Sequence, residues 1–525
     1  GSSTMLQPSP IPVSNAAGSS AADRSAIAAG IPSRALMQRA GAAAAAEIAA
    51  RFSDRLADGV VIATGQGNNG GDGWVIANAL HAVGVRVRVV ECMTSRTEDA
   101  VAERTLAVDH GVRFTTDVAS LLTGGERIVV DALLGTGFIA DEALRGAIAE
   151  GVAALHALAA RGCAIVAIDV PTGLDASTGA NAGAPQCALT LTFGTVKRGQ
   201  LVARDVCGVI VVLDIGLGGH ASRASSASLA TAAWFRSALP PITADAHKGT
   251  RKKVAIIGGA AGMAGAVILA SRAALRSGAG LVKGVVASDS LLALQEAEPA
   301  ALSAEWPADD EQFVARISNW ADAILVGPGL GKPGAREMVE RALRCFAGPV
   351  VLDADALNAF EGDVDALLPL IGTRPALLTP HPAEFARLVG ESVSDVLLDR
   401  FDAPAVVALR SGASVLLKGV PTIVTSPDGT AIIVAEGTPV LATGGSGDIL
   451  GGIAATLLAQ TGDAQTAGAL AAFAHGRAAA MVSARQVRGL TLDDVLAALP
   501  RVWSLDVPIP RPPVLAELPQ VGEPA

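Results

Sequence analysis

Apolar residues in this chain mostly come in short unbroken runs rather than in alternation with polar ones. Val60-Val61-Ile62-Ala63, Ile128-Val129-Val130 and Ala164-Ile165-Val166-Ala167-Ile168 are examples, each parted from the next by a longer stretch with helical spacing. A strand buried on both faces loses the period of two, so this rhythm predicts parallel strands covered by helices on either side. One series of such runs occupies residues 60–64, 85–91, 112–115, 127–131, 164–170, 189–193 and 209–214. A predicted helix over 31–52 precedes it, favoured by the alanines at 42–46. The second series occupies 254–258, 281–286, 323–326, 350–353, 376–379, 414–418 and 431–434, and predicted helices over 447–460 and 464–483 close it.

Between the series the sequence turns to Gly, Ser and Ala, with Pro240-Pro241 just beyond. The expected organisation is a disordered segment at 1–24, an α/β domain at 25–218, a linker at 219–239, a second α/β domain at 240–503 and a Pro-rich tail at 504–525. Half of the 525 residues are hydrophobic and only 17% are charged, which is ample material for buried cores. A net charge of −10 argues against nucleic-acid or anionic-membrane partners. The absence of Tyr removes mechanisms that need a tyrosine. Five scattered cysteines without a CxxC pair read as reduced thiols. No signal-peptide pattern or membrane-length apolar stretch is present, so the expected location is cytoplasmic. Large apolar α/β domains commonly self-associate, and a homo-oligomer is expected.

Two glycine-rich loops carry the candidate chemistry. Gly65-Gln66-Gly67-Asn68-Asn69-Gly70-Gly71-Asp72-Gly73 follows the first strand, and Gly444-Gly445-Ser446-Gly447-Asp448 opens a helix. Glycines let backbone N–H groups approach an anion, and a helix N-terminus adds positive partial charge. The first loop satisfies GxGxxG, and Glu91 ends the following strand where a ribose-binding acid would sit. The polar filling of Asn68, Asn69 and Asp72 argues against an ordinary dehydrogenase loop. Asp131 and Asp169 end two further strands and lead into Leu134-Gly135-Thr136-Gly137 and Pro171-Thr172-Gly173-Leu174-Asp175. Ligands of open parallel sheets bind beyond the carboxyl ends of strands, so Asn69, Asp131, Thr172 and Asp169 should share one crevice. The first three offer hard oxygens suited to a monovalent cation, and Asp169 is left as an acid–base candidate.

The set GNNGGDG, DALLGTG, DVPTGLD and Thr192-Phe193-x-x-x-Lys197 resembles the NAD(P)H-hydrate epimerase family over about residues 30–218. The resemblance implies a Rossmann-like three-layer domain that interconverts R and S hydrates of NAD(P)H. It implies dinucleotide contacts from Asn68, Asn69, Gly70, Gly71 and Asp72, and from Gly135, Thr136, Gly137, Phe138, Ile139, Ala140 and Asp141. Potassium would be held by Asn69, Asp131 and Thr172, with Asp169 acting at the hydrated ring carbon. Family members usually carry Ser at the position of Thr172, and the hydroxyl is kept.

The second loop places a carboxylate beside an anion hole, as needed to take a proton from a hydroxyl during phosphoryl transfer. It resembles the ribokinase-like superfamily. Together with His247-Lys248-Gly249, Gly327-Pro328-Gly329-Leu330-Gly331, Asp353-Ala354-Asp355, Thr379-Pro380-His381-Pro382 and Leu417-Lys418-Gly419, it resembles the NAD(P)H-hydrate dehydratase family over about 240–500. That resemblance implies a ribokinase-like α/β domain in which Asp448 is the base and Ala266, Gly329, His381 and Asp448 contact the hydrate. Lys418, Gly419, Val420, Pro421, Thr422 and Gly447 would bind the adenine nucleotide, ADP rather than ATP, with Mg²⁺ on its phosphates. Met263 stands where relatives often have Tyr. Asp353 and Asp355 are open between a metal-proximal place and a strand end, and His475 reads as packing. The alternative reading is a small-molecule kinase, such as one for a vitamin precursor, whose N-terminal domain senses a ligand or binds a protein.

Overall fold

The computed structural model describes residues 10–508 and 511–521. They fall into two compact units, one holding Pro10–Ser228 with the C-terminal strand and the other holding Leu229–Val507.

In the first unit eight strands form one sheet, in the order Val514–Leu518, Val209–Leu213, Leu189–Phe193, Ala164–Ile168, Ile128–Ala132, Val60–Thr64, Val87–Glu91 and Arg113–Thr115. Every pairing is parallel except the first, which is antiparallel. The strand Val60–Thr64 shows why the apolar runs are unbroken. Val60 and Ile62 pack in one core with Leu36, Ala44 and Ile48 of helix Ser33–Arg51 and Trp74 of helix Asn68–Ala82. Val61 and Ala63 pack in another core with Ile148, Val152 and Leu155 of helix Gly146–Ala160. Helix, sheet and helix make three layers, and both faces of the strand are dry.

Three parts of the expected organisation are corrected. Residues 1–9 lie outside the described residues, but 10–24 are ordered: strand Ile11–Ser14 pairs with Val196–Lys197, and helix Ala16–Ala28 follows. Asn15 caps that helix by accepting from the Gly18 amide, and Ala22 and Ala26, one turn apart, are fully buried. Small side chains in a segment expected to be disordered here permit close helix packing. The expected tail contains strand Val514–Leu518, which covers the edge of Val209–Leu213, and Glu517 pairs with Arg51 at 2.6 Å. The prolines at 512, 513 and 519 flank the strand and remove no amide from its ladder. The expected linker holds helix Gly219–Arg223, strand Ala227–Leu229 and helix Ala232–Ala238.

In the second unit the strand order is Leu302–Glu305, Leu281–Val286, Lys253–Ile257, Ala323–Val326, Val350–Leu352, Ala376–Leu378, Ser414–Leu417, Thr422–Thr425 and Ala431–Val434. The pairings are parallel until Ser414–Leu417, after which two antiparallel pairings follow. Val254 and Ile256 face a core built with helices Ala264–Arg276, Ser446–Thr461 and Ala464–Ser483, while Ala255 and Ile257 face a core built with helix Ala335–Cys345. Among the described residues no helix is long and apolar enough to cross a membrane.

Two candidate active sites

In the first unit the turn after Val60–Thr64 is tight enough that a methyl group on Gly65 would lie 1.9 Å from the Leu133 carbonyl oxygen. Glycine there lets two strand-end loops meet, and beyond them opens a cavity of about 980 Å³. Asn68, Asn69 and Asp72 line it, as do Gly135, Thr136, Gly137, Phe138, Ile139 and Asp141 of the facing loop. Asp169 and Lys197 line it as well. Three of the expected contact residues are not in its wall. Gly70 packs on Gly65, Gly71 packs on Met37, and the Ala140 amide donates to Asp175. Glu91 is not in the wall either: it is buried in an ion pair with Arg104 at 2.5 Å.

Asp169 is held with unusual firmness. Its φ of 68° is left-handed, a conformation a residue with a side chain keeps only where its surroundings impose it. Buried Lys197 pairs with its Oδ1 at 2.9 Å, Thr192 donates to the same oxygen at 3.0 Å, and Gln200 donates to its carbonyl at 2.6 Å. Burial pushes Asp72 well above the usual carboxylate range, and the charges of Asp169 and Asp23 push it further. Asp23 is raised by burial, with Lys197 opposing and Asp169 adding to the shift. Asp23, Asp72 and Asp169 thus share one cavity with Lys197, the kind of groups that acid–base chemistry uses.

Asp131, fully buried, accepts from the Thr172 hydroxyl at 2.6 Å, the Thr172 amide at 2.8 Å and the Leu133 amide at 3.3 Å. Burial raises its pKa while those hydrogen bonds draw it down. Asn69 donates to the Ile168 carbonyl at 2.7 Å, and its own carbonyl oxygen is buried with no partner in the protein. An orphaned buried oxygen of this kind calls for a bound cation or water. Asp131 and Thr172 are bonded to each other and do not line the cavity, so of the four residues expected to share one crevice only Asn69 and Asp169 lie in its wall.

In the second unit helix Ser446–Thr461 begins at Gly445, whose φ is 91°. Asp448 lies in its first turn, and its pKa is pushed up to about 7 by burial and by Asp353, with Lys418 opposing and Glu384 adding. Asp353 is almost fully buried and pairs with Lys418 at 2.9 Å. Burial works against the Lys418 ammonium, yet Asp353 and Glu384 hold its pKa above the ordinary value. A methyl group on Gly447 would lie 2.9 Å from Lys418 Nζ, so the ammonium rests against the glycine backbone of the loop.

Of the remaining expected residues, His381 lies beside Lys418. The Lys418 amide donates to the Pro380 carbonyl, which brings the His381 loop alongside. His381 caps helix Pro382–Val389 in a reciprocal box with Glu384, and burial together with Lys418 lowers its pKa. Thr422 donates to the Gly419 carbonyl at 2.8 Å, closing the loop that contains Val420 and Pro421. Ala266 adjoins Gly329: a methyl group on Gly329 would sit 3.0 Å from Ala266 Cβ and 2.6 Å from the Met263 carbonyl oxygen. Asp355 accepts from the Gly331 amide at 2.9 Å and thereby braces the neighbouring loop. His475 is buried beside Ser446, and burial pushes its pKa down to about 3, so it is neutral.

Sequence reading did not assign Asp353 or Glu384 to this site, nor Asp23 to the first. A carboxylate ending a strand just ahead of the DALN turn was the available signal for Asp353.

Two α/β units, each with a mostly parallel sheet and charged side chains gathered beyond its strand ends, define a two-site α/β enzyme. Residues 254–501 match the family model described as NAD(P)H-hydrate dehydratase, and residues 33–199 match that of the YjeF-related protein N-terminus. The chain is 36% identical over 527 residues to the bifunctional NAD(P)H-hydrate repair enzyme of Salinibacter ruber, covering 94% of this chain and 96% of that one. It is 35% identical to the bifunctional NAD(P)H-hydrate repair enzyme of Escherichia coli K12, covering 90% of each. Among solved structures, the ADP/ATP-dependent NAD(P)H-hydrate dehydratase of Bacillus subtilis is similar to 52% of this chain over 96% of its own, with 29% identity and a TM-score of 0.45. The chain belongs to the family of bifunctional NAD(P)H-hydrate repair enzymes.

Proposed function

We propose that the first site interconverts the R and S hydrates of NAD(P)H and that the second dehydrates the S form at the expense of ADP, releasing AMP and phosphate. The observation that carries this reading is Asp448, a carboxyl with a pKa of about 7 at the entrance of a glycine anion hole that Lys418 backs. Asp448 takes the proton of the hydrate's hydroxyl as that oxygen attacks the terminal phosphorus of ADP. The bridging P–O bond breaks and AMP leaves with the bonding pair. Backbone amides at Gly447 and the Lys418 charge stabilise the transferring group. Phosphate then leaves carbon with its electron pair, a proton leaves the adjacent ring carbon, and the double bond returns. Hydroxide is a poor leaving group and phosphate a good one, which is the reason to consume a nucleotide.

Ala266, Gly329 and His381 are assigned to the hydrate, and Lys418, Gly419, Val420, Pro421, Thr422 and Gly447 to the nucleotide. Bound Mg²⁺ would neutralise phosphate charge. In the first site Asp169 moves the proton at the hydrated carbon, and the loops at Asn68–Asp72 and Gly135–Asp141 hold the dinucleotide. Asn69, Asp131 and Thr172 would hold K⁺, which would tie the loops together. The reading carries with it a cytoplasmic homo-oligomer.

The test is recovery of NADH absorbance from mixed R and S NADH hydrate with Mg²⁺, K⁺ and either ADP or ATP. Full recovery, faster than spontaneous epimerisation, is expected with ADP. No recovery with either nucleotide rejects the reading in favour of a small-molecule kinase.

A further inference from the structure

At the second site the carboxylate that sequence reading left unassigned lies deeper than the proposed base. Asp353 follows strand Val350–Leu352, its amide bonded to the Val326 carbonyl at 3.0 Å, so the parallel sheet itself fixes its place. Ala354 follows it at a left-handed φ of 52°. One carboxylate oxygen pairs with Lys418 Nζ at 2.9 Å. The other faces helix Ser446–Thr461 at two glycines one turn apart: a methyl group on Gly447 or on Gly451 would lie 3.8 Å from Asp353 Oδ2. The same methyl on Gly447 would lie 2.9 Å from Lys418 Nζ. The absence of a side chain at Gly447 lets the Lys418 ammonium, with Asp353 paired to it, lie close under the first turn of the helix.

We propose that Asp353 is a positioning residue for phosphoryl transfer, one oxygen holding the Lys418 ammonium against Gly447 at the anion hole and the other facing the glycine flank of the helix that carries Asp448. The inference rests on the dehydratase reading of this site. A lysine on four rotatable bonds is a poor fixed charge unless it is tethered, and preorganised charge is what lowers a phosphoryl-transfer barrier. The tether has a second effect. Asp353 is a negative charge beside Asp448 and disfavours its ionised form, while Lys418 favours it. The other titratable or charged groups around the site are Glu384 and His381 on the cap of helix Pro382–Val389, Arg387 on the same helix, and neutral His475 behind Ser446.

The experiment measures dehydration of S-NADH hydrate by the full chain against pH, for wild type, Asp353→Asn and Asp353→Glu. In Asp353→Asn the ammonium loses its tether, and kcat should fall at least about tenfold. Its acidic limb should move down by about one pH unit, because a like charge has gone and Lys418 is no longer paired. Asp353→Glu keeps the charge but lengthens the arm, so kcat should fall while the limb stays in place. KM for the nucleotide should change far less than kcat in both. A limb left in place in Asp353→Asn, or full kcat in either variant, overturns the proposal. Wild-type failure to dehydrate would instead sink the reading of the site on which it rests.

Discussion

At the residue scale, the pKa of Asp448 links activity to stability. A base that must be ionised works only above its pKa, so the dehydration rate should rise with pH through about 7 and then level off. Flat dependence between about pH 6 and 8 would exclude Asp448 as the base. The same shift has a stability sign. The folded state holds the Asp448 proton more tightly than the unfolded chain does, so this group destabilises the fold progressively as pH rises from about 4 to 7. Asp448→Asn should therefore abolish dehydration, leave epimerisation intact and raise the melting temperature at alkaline pH; a lower melting temperature there would contradict the assignment. Asp169→Ala should do the reverse, reducing epimerisation to the spontaneous rate. Lys197 loses its carboxylate partner in that variant, so some loss of stability should accompany it.

At the element scale, two short segments with unpromising composition complete the first unit. Helix Ala16–Ala28 supplies Ser19, Ser20, Asp23 and Ile27 to the cavity wall. Removing residues 10–28 should raise KM for the hydrate more than tenfold, and an unchanged KM would take this helix out of the site. Strand Val514–Leu518 covers an edge that would otherwise leave the outward amides and carbonyls of Val209–Leu213 unpaired. Truncation before residue 511 should destabilise the first unit by on the order of 1–3 kcal/mol and expose an aggregation-prone edge. The dehydratase melting transition should be untouched, because the strand belongs to the other unit. Equal losses in both transitions would contradict that division.

At the scale of the whole molecule, the two chemistries are complementary. Hydration gives two epimers and the second site accepts one, so an epimerase in the same chain lets the whole mixture be recovered. Each unit carries its own core and its own site. Asp169→Ala and Asp448→Ala chains mixed in equal amounts should therefore recover NADH from both epimers, with the S hydrate diffusing between molecules. Failure of the mixture, with each variant keeping its other activity, would point to transfer confined within one chain.

Much of this was legible in the sequence for local reasons. Unbroken runs such as Val60–Ala63, bounded by turn residues, fit strands covered on both faces, and glycine-rich turns ending in Asp72 and Asp448 mark candidate anion sites through backbone geometry. Partner choice across long separations was not legible. No local pattern says that Val514–Leu518 will pair with Val209–Leu213, because an edge strand is specified by the vacancy it fills. Nor does composition show that alanines at 22 and 26 pack as core, which depends on what approaches them. The role of Asp353 is the sharpest case. Its meaning comes from Lys418, 65 residues along the chain, and from Gly447, whose missing side chain lets that ammonium lie close. Most of the central strands and the two glycine-rich loops follow from short-range sterics and hydrophobic period, whereas Ile11–Ser14, Ala16–Ala28 and Val514–Leu518 do not. Only the tertiary structure decided which charges meet, because burial and distance, not residue type, set the pKa of Asp448.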